Sequence, residues 1–470
     1  MGWNAWPSGQ IKILCCMAIL VVAMVGCAAS KLSTTLMPTP IALSLGIAQP
    51  GVSSTGKTTN PIQCADAQLP IFIISGRNLE DPSDPINPFG DARSPVPTLG
   101  VAYVQVGAGL TQAELKDQTV TAKKRKTAKV TYNGIELDQT PLPVDLWKVR
   151  DGSVRFQDNA WVQAIKDQMI STGSQTVTIY VHGYNTTYID NTLIAGEIYH
   201  YMGRRGAMMS FEWPSESKLF GYIPDKANAN ASTHQFRGLI SNIAKECNVD
   251  SITIIGHSAG SPVVVNALRE IRLLEYDLTP EQLQDKYRVG RVVLAAPDMD
   301  VRAFENAIFD SFQEMTKGVA VYASPKDRAL KFSEKLNGGT RLGHAVGELE
   351  DLEKAIFIRV PEIEMIDASI AEQQFRDFIG HSYYQRNPWV SSDIGSFLLG
   401  RTPEARGLIK KPDEPVFWQF GEDYPERLEQ LLGGQANSAS AAPDLGDQSF
   451  NSGSQSRRAV RGRLRGSQSR

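Results

Sequence analysis

SITIIGHSAGSPVVVNALREI, residues 251–271, joins a short apolar run to an apolar pattern of helical spacing through a Gly-x-Ser-x-Gly turn. The run 252–255 is almost wholly β-branched, which predicts a strand buried on both faces. The apolar residues after the turn recur every three or four positions, which predicts a helix. A strand, a sharp turn and a helix are the context of a nucleophile elbow. They would place Ser258 on a strained turn at a helix N-terminus, where the dipole favours negative charge. The alternative is an ordinary glycine-rich turn that a serine caps.

Composition and charge narrow the class of protein. The chain has 470 residues, of which 42% are hydrophobic and 21% charged, so it is long enough for one large or two modest folded domains. A net charge of -3 gives no reason to expect nucleic-acid binding. The six histidines and five cysteines include no Cys-x-x-Cys pair and no cluster with metal-ligand spacing. We therefore expect neither a transition metal nor another cofactor.

The N-terminus has the pattern of an export signal. An apolar run after Lys12 ends in GCAAS, residues 26–30. This pattern resembles the lipobox of bacterial lipoproteins. The resemblance implies that residues 1–26 are a signal peptide, that Cys27 is lipidated, and that the protein is anchored to a membrane of the bacterial cell envelope. The alternatives are an uncleaved transmembrane anchor over residues 11–29 and a secreted protein released by ordinary signal peptidase.

Two cysteines would remain in a mature chain that begins with a lipidated Cys27. They are Cys64 and Cys247. An oxidising compartment would allow them to pair, but two separate thiols fit the sequence equally well.

The rest of the chain divides into four segments. Residues 27–64 are rich in Ser, Thr, Pro and Gly, and we interpret them as a flexible tether. Residues 65–150 contain strand-like runs and form a small β-rich N-terminal portion of the folded domain. Residues 151–432 form its α/β core. Residues 433–470 are rich in Ser, Gly, Gln and Ala, end in several arginines, and are predicted to be a disordered basic tail.

The core alternates strand-like and helix-like runs. The predicted strands are Thr176–Val181, Ala207–Trp213, 252–255, 291–298, 318–324 and a last strand near Ile356–Asp367. The predicted helices include one that ends near Tyr201, the helix after Ser258, and helices over Thr233–Cys247, Phe304–Phe312 and Arg328–Leu336. This alternation predicts a mostly parallel sheet covered by helices on both faces.

A serine nucleophile needs a general base and an acid that orients the base. In α/β hydrolases the three follow in the order serine, acid, histidine, each just after a strand. Two histidines come after Ser258 in the sequence. His381 follows the last predicted strand and is well placed as the base, whereas His344 lies in a glycine-rich loop before that strand.

The acid has two candidate positions. Asp327 follows the strand 318–324, which is the usual place in this fold. Asp298 and Asp300 follow the preceding strand, and they are the alternative, with N-capping or support of the elbow as their other interpretation.

Two backbone N–H groups should form an oxyanion hole. One belongs to Ala259, directly after the nucleophile, and the other lies in the loop VHGYNTT, residues 181–187. Gly183 lets that backbone approach a substrate, so the Tyr184 N–H is the expected second donor. His182 in this loop and His257 in the elbow are interpreted as structural.

Six short motifs carry a resemblance to a known family. They are VHGYN, FEWPS, GYIPDKANANAS, GHSAG, YASPKDRAL and GHSYY. Their order and spacing resemble a bacterial α/β-hydrolase family of unknown function, usually labelled an esterase/lipase-superfamily domain, from about Ile71 to Tyr384. The resemblance implies the α/β-hydrolase fold and a triad of Ser258, Asp327 and His381. It also implies a site wall shaped by Trp213, Pro214, Tyr222 and Asp225.

The sequence therefore predicts a serine hydrolase that acts on a small-molecule or lipid ester, or on a thioester or amide, through an acyl-enzyme intermediate. An acyltransferase would use the same residues, with an alcohol in place of water. A protein of a different class, a catalytically silent envelope lipoprotein that uses the fold as a scaffold, is the other alternative. The presence of all three triad residue types in order argues against a silent scaffold.

Overall fold

The computed structural model describes residues 32–41, 68–111, 114–115, 128–138, 159–216, 222–374 and 380–431. Within these residues, twelve strands form one sheet. In chain order they are β1 (Ser33–Thr35), β2 (Gln68–Leu79), β3 (Phe89–Val106), β4 (Lys129–Leu137), β5 (Thr176–Val181), β6 (Ala207–Glu212), β7 (Ser251–His257), β8 (Val289–Ala295), β9 (Gly318–Ala323), β10 (Ile363–Asp367), β11 (Ile409–Lys410) and β12 (Phe417–Gln419).

The α-helices lie mainly between these strands. They are α1 (Ala160–Thr172), α2 (Tyr188–Tyr201), α3 (Tyr222–Glu246), α4 (Ser261–Leu274), α5 (Pro280–Tyr287), α6 (Val301–Phe309), α7 (Arg328–Asn337), α8 (Asp351–Arg359), α9 (Ser369–Gln374), α10 (Tyr383–Arg386) and α11 (Pro388–Leu398). A further helical segment covers residues 424–431.

The sheet is parallel in its centre and antiparallel at its two edges. Its strand order is β1-β4-β3-β2-β6-β5-β7-β8-β9-β10-β12-β11. All neighbours from β2 to β12 run parallel. The outer strands pair antiparallel. This confirms the predicted α/β-hydrolase fold, and it also assigns the site to one end of the sheet. Because parallel strands share the direction of their carboxyl ends, the residues that follow β7, β9 and β10 meet there.

Helices cover both faces because each central strand sends alternate side chains to opposite sides. On β7, Ile254 belongs to a core formed with α1, α3, α4 and α6. Its neighbour Ile255 belongs to a second core, formed with α2 and α11. Both side chains are buried. A strand covered on both faces has no polar side, which explains the continuous apolar run in the sequence.

The prediction of a flexible tether is wrong for residues 32–41. Strand β1 pairs antiparallel with β4 at the edge of the sheet. Leu36 and Met37, which follow it, are buried, and the Met37 N–H donates to a carboxylate oxygen of Glu197 on α2 at 3.2 Å. This segment is therefore part of the domain. The rest of the tether, Cys27, residues 1–26 and the basic tail lie outside the described residues.

The predicted last strand near Ile356–Asp367 is also wrong in its first half. Residues 351–359 form helix α8, and only Ile363–Asp367 forms a strand. The helix begins with reciprocal hydrogen bonds between Glu350 and Glu353, a capping box that satisfies N–H groups at its N-terminus. The sheet also continues beyond β10, through β12 to β11.

Two further features concern the membrane and the cysteines. Among the residues that the structure describes, no helix has the length and the apolar character that crossing a membrane requires. Cys247 is a buried free thiol, and burial raises its pKa to about 12, so it is not a reactive nucleophile. Its possible partner Cys64 lies outside the described residues.

Candidate active site

Ser258 lies on a strained turn between β7 and α4. Its φ is 50°, in the left-handed region that a residue with a side chain rarely occupies. Gly256 and Gly260 make this turn possible. A Cβ on Gly256 would lie 3.1 Å from Val264 Cγ2, and a Cβ on Gly260 would overlap the His182 carbonyl oxygen. The strand, turn and helix predicted from the sequence are all present, with Ser258 at the turn.

Asp327 and His381 are joined by a short hydrogen bond. His381 Nδ1 lies 2.6 Å from Asp327 Oδ2. Asp327 is fully buried directly after β9, and its other oxygen, Oδ1, accepts the Leu330 N–H at 3.0 Å as the N-cap of α7. Each carboxylate oxygen therefore has a fixed partner. The helix end holds the carboxylate, and the carboxylate orients the imidazole.

His257 connects this pair to the elbow. Its ring lies 4.9 Å from the ring of His381 and 4.5 Å from that of Tyr384, and its Nε2 lies 3.3 Å from the His381 carbonyl oxygen. Burial lowers the pKa of His257 well below its ordinary value, so the ring is neutral and donates its Nε2–H to that carbonyl. Since His257 directly precedes Ser258, this contact holds His381 beside the elbow. A structural role for His257 agrees with its prediction from the sequence.

The two aspartates after β8 have structural partners. Asp300 is the N-cap of α6 and accepts the N–H groups of Arg302 and Ala303. The Asp298 N–H donates to the Ser258 carbonyl oxygen at 3.1 Å, so this residue supports the elbow. These are the roles that the sequence left open as the alternative to a catalytic acid.

His344, the other histidine considered as a base, lies in the segment after α7. Its ring nitrogens lie 3.1 Å from Glu334 Oε1 and 3.1 Å from the Pro325 carbonyl oxygen. Pro325 lies two residues before Asp327, and Glu334 lies on α7, the helix that Asp327 caps. His344 therefore supports the segment that carries the acid.

The loop after β5 lies against the nucleophile. A Cβ on Gly183 would lie 2.9 Å from both Ser258 Cβ and His257 Nδ1. Tyr184, next to Gly183, is half-buried, and Ala259, the residue after the serine, is buried. The absence of a side chain at Gly183 therefore lets the backbone of this loop approach the nucleophile. The Tyr184 and Ala259 N–H groups remain the predicted donors.

His182 and Trp213 lock this loop to the segment after β6. Their rings are stacked, with centroids 4.7 Å apart and an angle of 8°. Trp213 Nε1–H donates to the His182 carbonyl oxygen at 2.7 Å. Burial lowers the pKa of His182 to about 3, so its ring is neutral. His182 is structural, as predicted. Trp213 is fully buried, so it supports the loop and offers no exposed surface for the site wall that the resemblance implied.

Tyr222, the other aromatic residue that the resemblance assigned to the site wall, packs against the loop after β5. Its ring packs edge-to-face on that of Tyr184, with centroids 5.5 Å apart. Its hydroxyl donates to Asp298 Oδ2 at 2.6 Å and also contacts Ser333 Oγ. Tyr222 therefore links the loop after β5 to Asp298, the residue that supports the elbow. Asp225, in the next turn of α3, is buried and accepts hydrogen bonds from the Ser215 hydroxyl and the Glu216 N–H.

Sequence reasoning missed Arg77 on β2. Its guanidinium is buried and donates to the carbonyl oxygens of Thr186 and Ser215, one in each of the two segments described above. The available signal was an arginine directly after the apolar run PIFIISG. A charged residue in a strand that is otherwise buried needs partners inside the protein.

No group of three or more His, Cys, Asp or Glu side chains in the described part of the chain is arranged to hold a metal ion. The chemistry that this arrangement can perform is that of a serine, a histidine and an aspartate, with backbone N–H donors nearby.

Comparison with known proteins identifies the family of this chain. Residues 157–401, more than half of the chain, match the model of a family described as "Alpha/beta hydrolase of unknown function (DUF900)". The chain belongs to this family. It is therefore an α/β hydrolase, as the resemblance of its motifs implied. No curated protein matches the sequence of this α/β hydrolase.

Several solved structures are similar to parts of this hydrolase. An esterase B from Lactobacillus rhamnosis with a bound tributyrin phosphonate is 13% identical, with a TM-score of 0.26, over 57% of this chain and 79% of the esterase. A lipase-esterase related protein from Clostridium acetobutylicum is 12% identical, with a TM-score of 0.28, over 48% of this chain and 96% of the other. A serine hydrolase from Cycloclasticus zankles is 11% identical, with a TM-score of 0.19, over 41% and 71%. Likenesses at this level carry no information on the substrate.

Proposed function

We propose that this protein is a serine hydrolase that cleaves an ester bond of a small molecule or a lipid through an acyl-enzyme intermediate. The observation that carries the proposal is the 2.6 Å contact between His381 and Asp327, made beside an elbow that holds Ser258 at a positive φ. A pair of this kind is needed to remove the proton from a serine hydroxyl at neutral pH. Thioesters and amides react by the same steps.

In the first half of the proposed reaction, Ser258 Oγ attacks the carbonyl carbon of the ester and His381 Nε2 takes the hydroxyl proton. Asp327 accepts the hydrogen bond from Nδ1–H, which leaves the lone pair of the imidazole on Nε2. The N–H groups of Ala259 and Tyr184 stabilise the oxyanion. The intermediate then expels the alcohol, which leaves with the proton from His381.

In the second half, water replaces the alcohol. The water oxygen attacks the acyl carbon while His381 accepts a proton from the water. The acid product then leaves as His381 returns this proton to Ser258 Oγ. The acyl group therefore passes through one covalent bond to Ser258, and the enzyme is restored.

The direct test is covalent labelling of the full chain with a fluorophosphonate, which an activated serine attacks at phosphorus. We expect one label per molecule at Ser258, no label in Ser258→Ala, and normal labelling in the control Ser241→Ala, whose hydroxyl donates to the Arg237 carbonyl oxygen of its own helix. Hydrolysis of activated esters of increasing acyl length by the same samples gives the chain preference. A folded wild type that takes up no label would support the silent scaffold.

We also propose that the protein is anchored in the bacterial cell envelope by a lipid on Cys27, because GCAAS follows an apolar run. Labelled palmitate should enter the wild type in a bacterial host, and Cys27→Ser should abolish this incorporation. A mature N-terminus at any other residue, found by mass spectrometry, would contradict the anchor.

A further inference from the structure

Arg77 joins the loop after β5, residues 181–187, to the segment that follows β6. Its Nη2 donates to the Thr186 carbonyl oxygen at 2.8 Å, and its Nη1 donates to the Ser215 carbonyl oxygen at 2.9 Å. Thr186 ends the turn that begins at Gly183, and Ser215 lies two residues after Trp213. One planar guanidinium therefore fixes the distance between the two segments.

The guanidinium is directed to these carbonyl oxygens and away from its nearest buried carboxylate. Arg77 Nε and Glu212 Oε2 are 3.9 Å apart, too far for a hydrogen bond, and neither atom has another hydrogen-bond partner. The other oxygen of Glu212 is used by Asn191 and Ser210. A residue that served only to pair with Glu212 would close this gap. The position of the guanidinium is set by the two loop carbonyls.

Keeping a charge at this place is costly. Arg77 is 1% exposed, and burial lowers the pKa of its guanidinium, although the carboxylates of Glu212 and Asp91 act in the opposite direction. A buried charge is weak evidence for stability, because a well-packed apolar residue is often as stable or more stable at the same place. The energetic cost indicates a role in the site that it adjoins.

Asp225 also joins the loop after β5 to the segment that follows β6. It accepts the Ser215 hydroxyl at 2.5 Å and the Glu216 N–H at 2.7 Å, and it is also hydrogen-bonded to the Asn185 backbone. Asn185 has a φ of 55°, so the turn after Tyr184 is itself strained. A strained turn keeps its conformation only when several contacts hold it.

We infer that Arg77 is a positioning residue of the oxyanion hole: by binding the Thr186 and Ser215 carbonyl oxygens, it holds the turn 183–186 so that the Tyr184 N–H faces the oxyanion. This inference rests on the proposed function. Removal of one oxyanion donor costs roughly 10²–10³ in kcat in a serine hydrolase, and a misplaced donor should approach that loss.

The test compares two buried arginines in the full chain. Arg406 is as buried as Arg77 and bonds to Asp393 at 2.7 Å and Glu364 at 2.6 Å, with no contact to the site. In Arg77→Lys, one ammonium replaces two nitrogens and can reach only one of the two carbonyls. We expect kcat for an activated ester to fall roughly 10-fold to 100-fold with KM nearly unchanged. Arg77→Met should lose more, whereas Arg406→Lys should lower the melting temperature without changing kcat.

Turnover is expressed per active site titrated to completion with fluorophosphonate, so that unfolded protein does not count. Equal kcat in Arg77→Lys and the wild type would overturn the inference while the proposed function stands. If the wild type hydrolyses no ester, the proposed function fails, and hydrogen exchange at residues 183–186 then decides the inference. Faster exchange there in Arg77→Lys than in Arg406→Lys supports it, and equal exchange overturns it.

Discussion

The backbone at Ser258 has a conformation that the residue would not adopt alone. A non-glycine residue in the left-handed region costs on the order of 1–3 kcal/mol. Here the Asp298 N–H holds the Ser258 carbonyl oxygen, and the glycines on either side allow helix α4 and the loop after β5 to approach. The strain is maintained by these neighbours, and it places Ser258 directly after β7, whose last residue, His257, contacts His381.

Asp327 has two tasks, and Asp327→Asn separates them. Asn is also a good N-cap, so its side-chain oxygen can keep the Leu330 N–H and the melting temperature should change little. The amide cannot stabilise the imidazolium and favours the wrong tautomer of His381, so kcat should fall by up to ~10⁴-fold. Steady-state kinetics and thermal unfolding check this. In Asp300→Asn, which changes only a cap, both quantities should stay near wild type. Loss of kcat in Asp300→Asn alone would show that the catalytic acid is the aspartate after β8 and not Asp327.

Gly183 should tolerate no side chain. In Gly183→Ala the new Cβ would lie 2.9 Å from Ser258 Cβ, closer than real Cβ contacts, so the loop must move away from the nucleophile. We expect kcat to fall by roughly 10²-fold or more, as for loss of an oxyanion donor. Gly395→Ala is the matched control, because a Cβ there meets nothing within 4 Å. Wild-type kcat in Gly183→Ala would show that this loop is not part of the hole.

At the scale of helices and strands, the sequence predicted what depends on neighbouring residues. The elbow was recognisable because its strand, glycines and helix are contiguous in the chain, from Ser251 to Leu274, and the three triad types follow in the order of the strands. Arg77 was missed because its partners Thr186 and Ser215 are more than 100 residues away in the chain. Contacts of that separation leave no periodic pattern.

The two wrong elements have different causes. Strand β1 is three residues long and exists because β4 offers it a free edge. Helix α8 contains the apolar run AIFI, which is too short for periodicity to distinguish a strand from a helix. Its capping box was the local signal that favoured the helix.

Removal of β1 and the residues after it tests whether this segment belongs to the domain. A chain that begins at Leu32 should unfold at the temperature of the wild type. A chain that begins after Ile41 loses the buried side chains of Leu36 and Met37, about 1.5–3 kcal/mol each, and exposes the edge of β4. Its melting temperature should fall clearly. Equal melting temperatures for the two truncated chains would show that residues 32–41 act as a tether and do not stabilise the domain.

At the scale of the whole molecule, stability depends on pH through titratable groups that the two cores enclose. Helix α2 carries one such carboxylate at the place where residues 36–41 cross it. Glu197 is 2% exposed, and burial raises its pKa from 4.5 to about 8, although the Met37 N–H and the charge of Arg386 act in the opposite direction. The folded protein therefore keeps a proton on Glu197 in a pH range in which the unfolded chain has lost it.

Glu197→Gln should remove this dependence. Between pH 4.5 and about 8 the folded state holds one more proton than the unfolded state, so the free energy of unfolding falls as pH rises, by at most about 1.4 kcal/mol per pH unit from this group. Gln cannot titrate, and its amide oxygen can still accept the Met37 N–H. Denaturant unfolding of both proteins at pH 5, 7 and 9 should show the variant gaining stability relative to the wild type as pH rises, with most of the gain by pH 8. A difference that stays constant from pH 5 to 9 would mean that Glu197 ionises in the folded protein as it does in the unfolded chain.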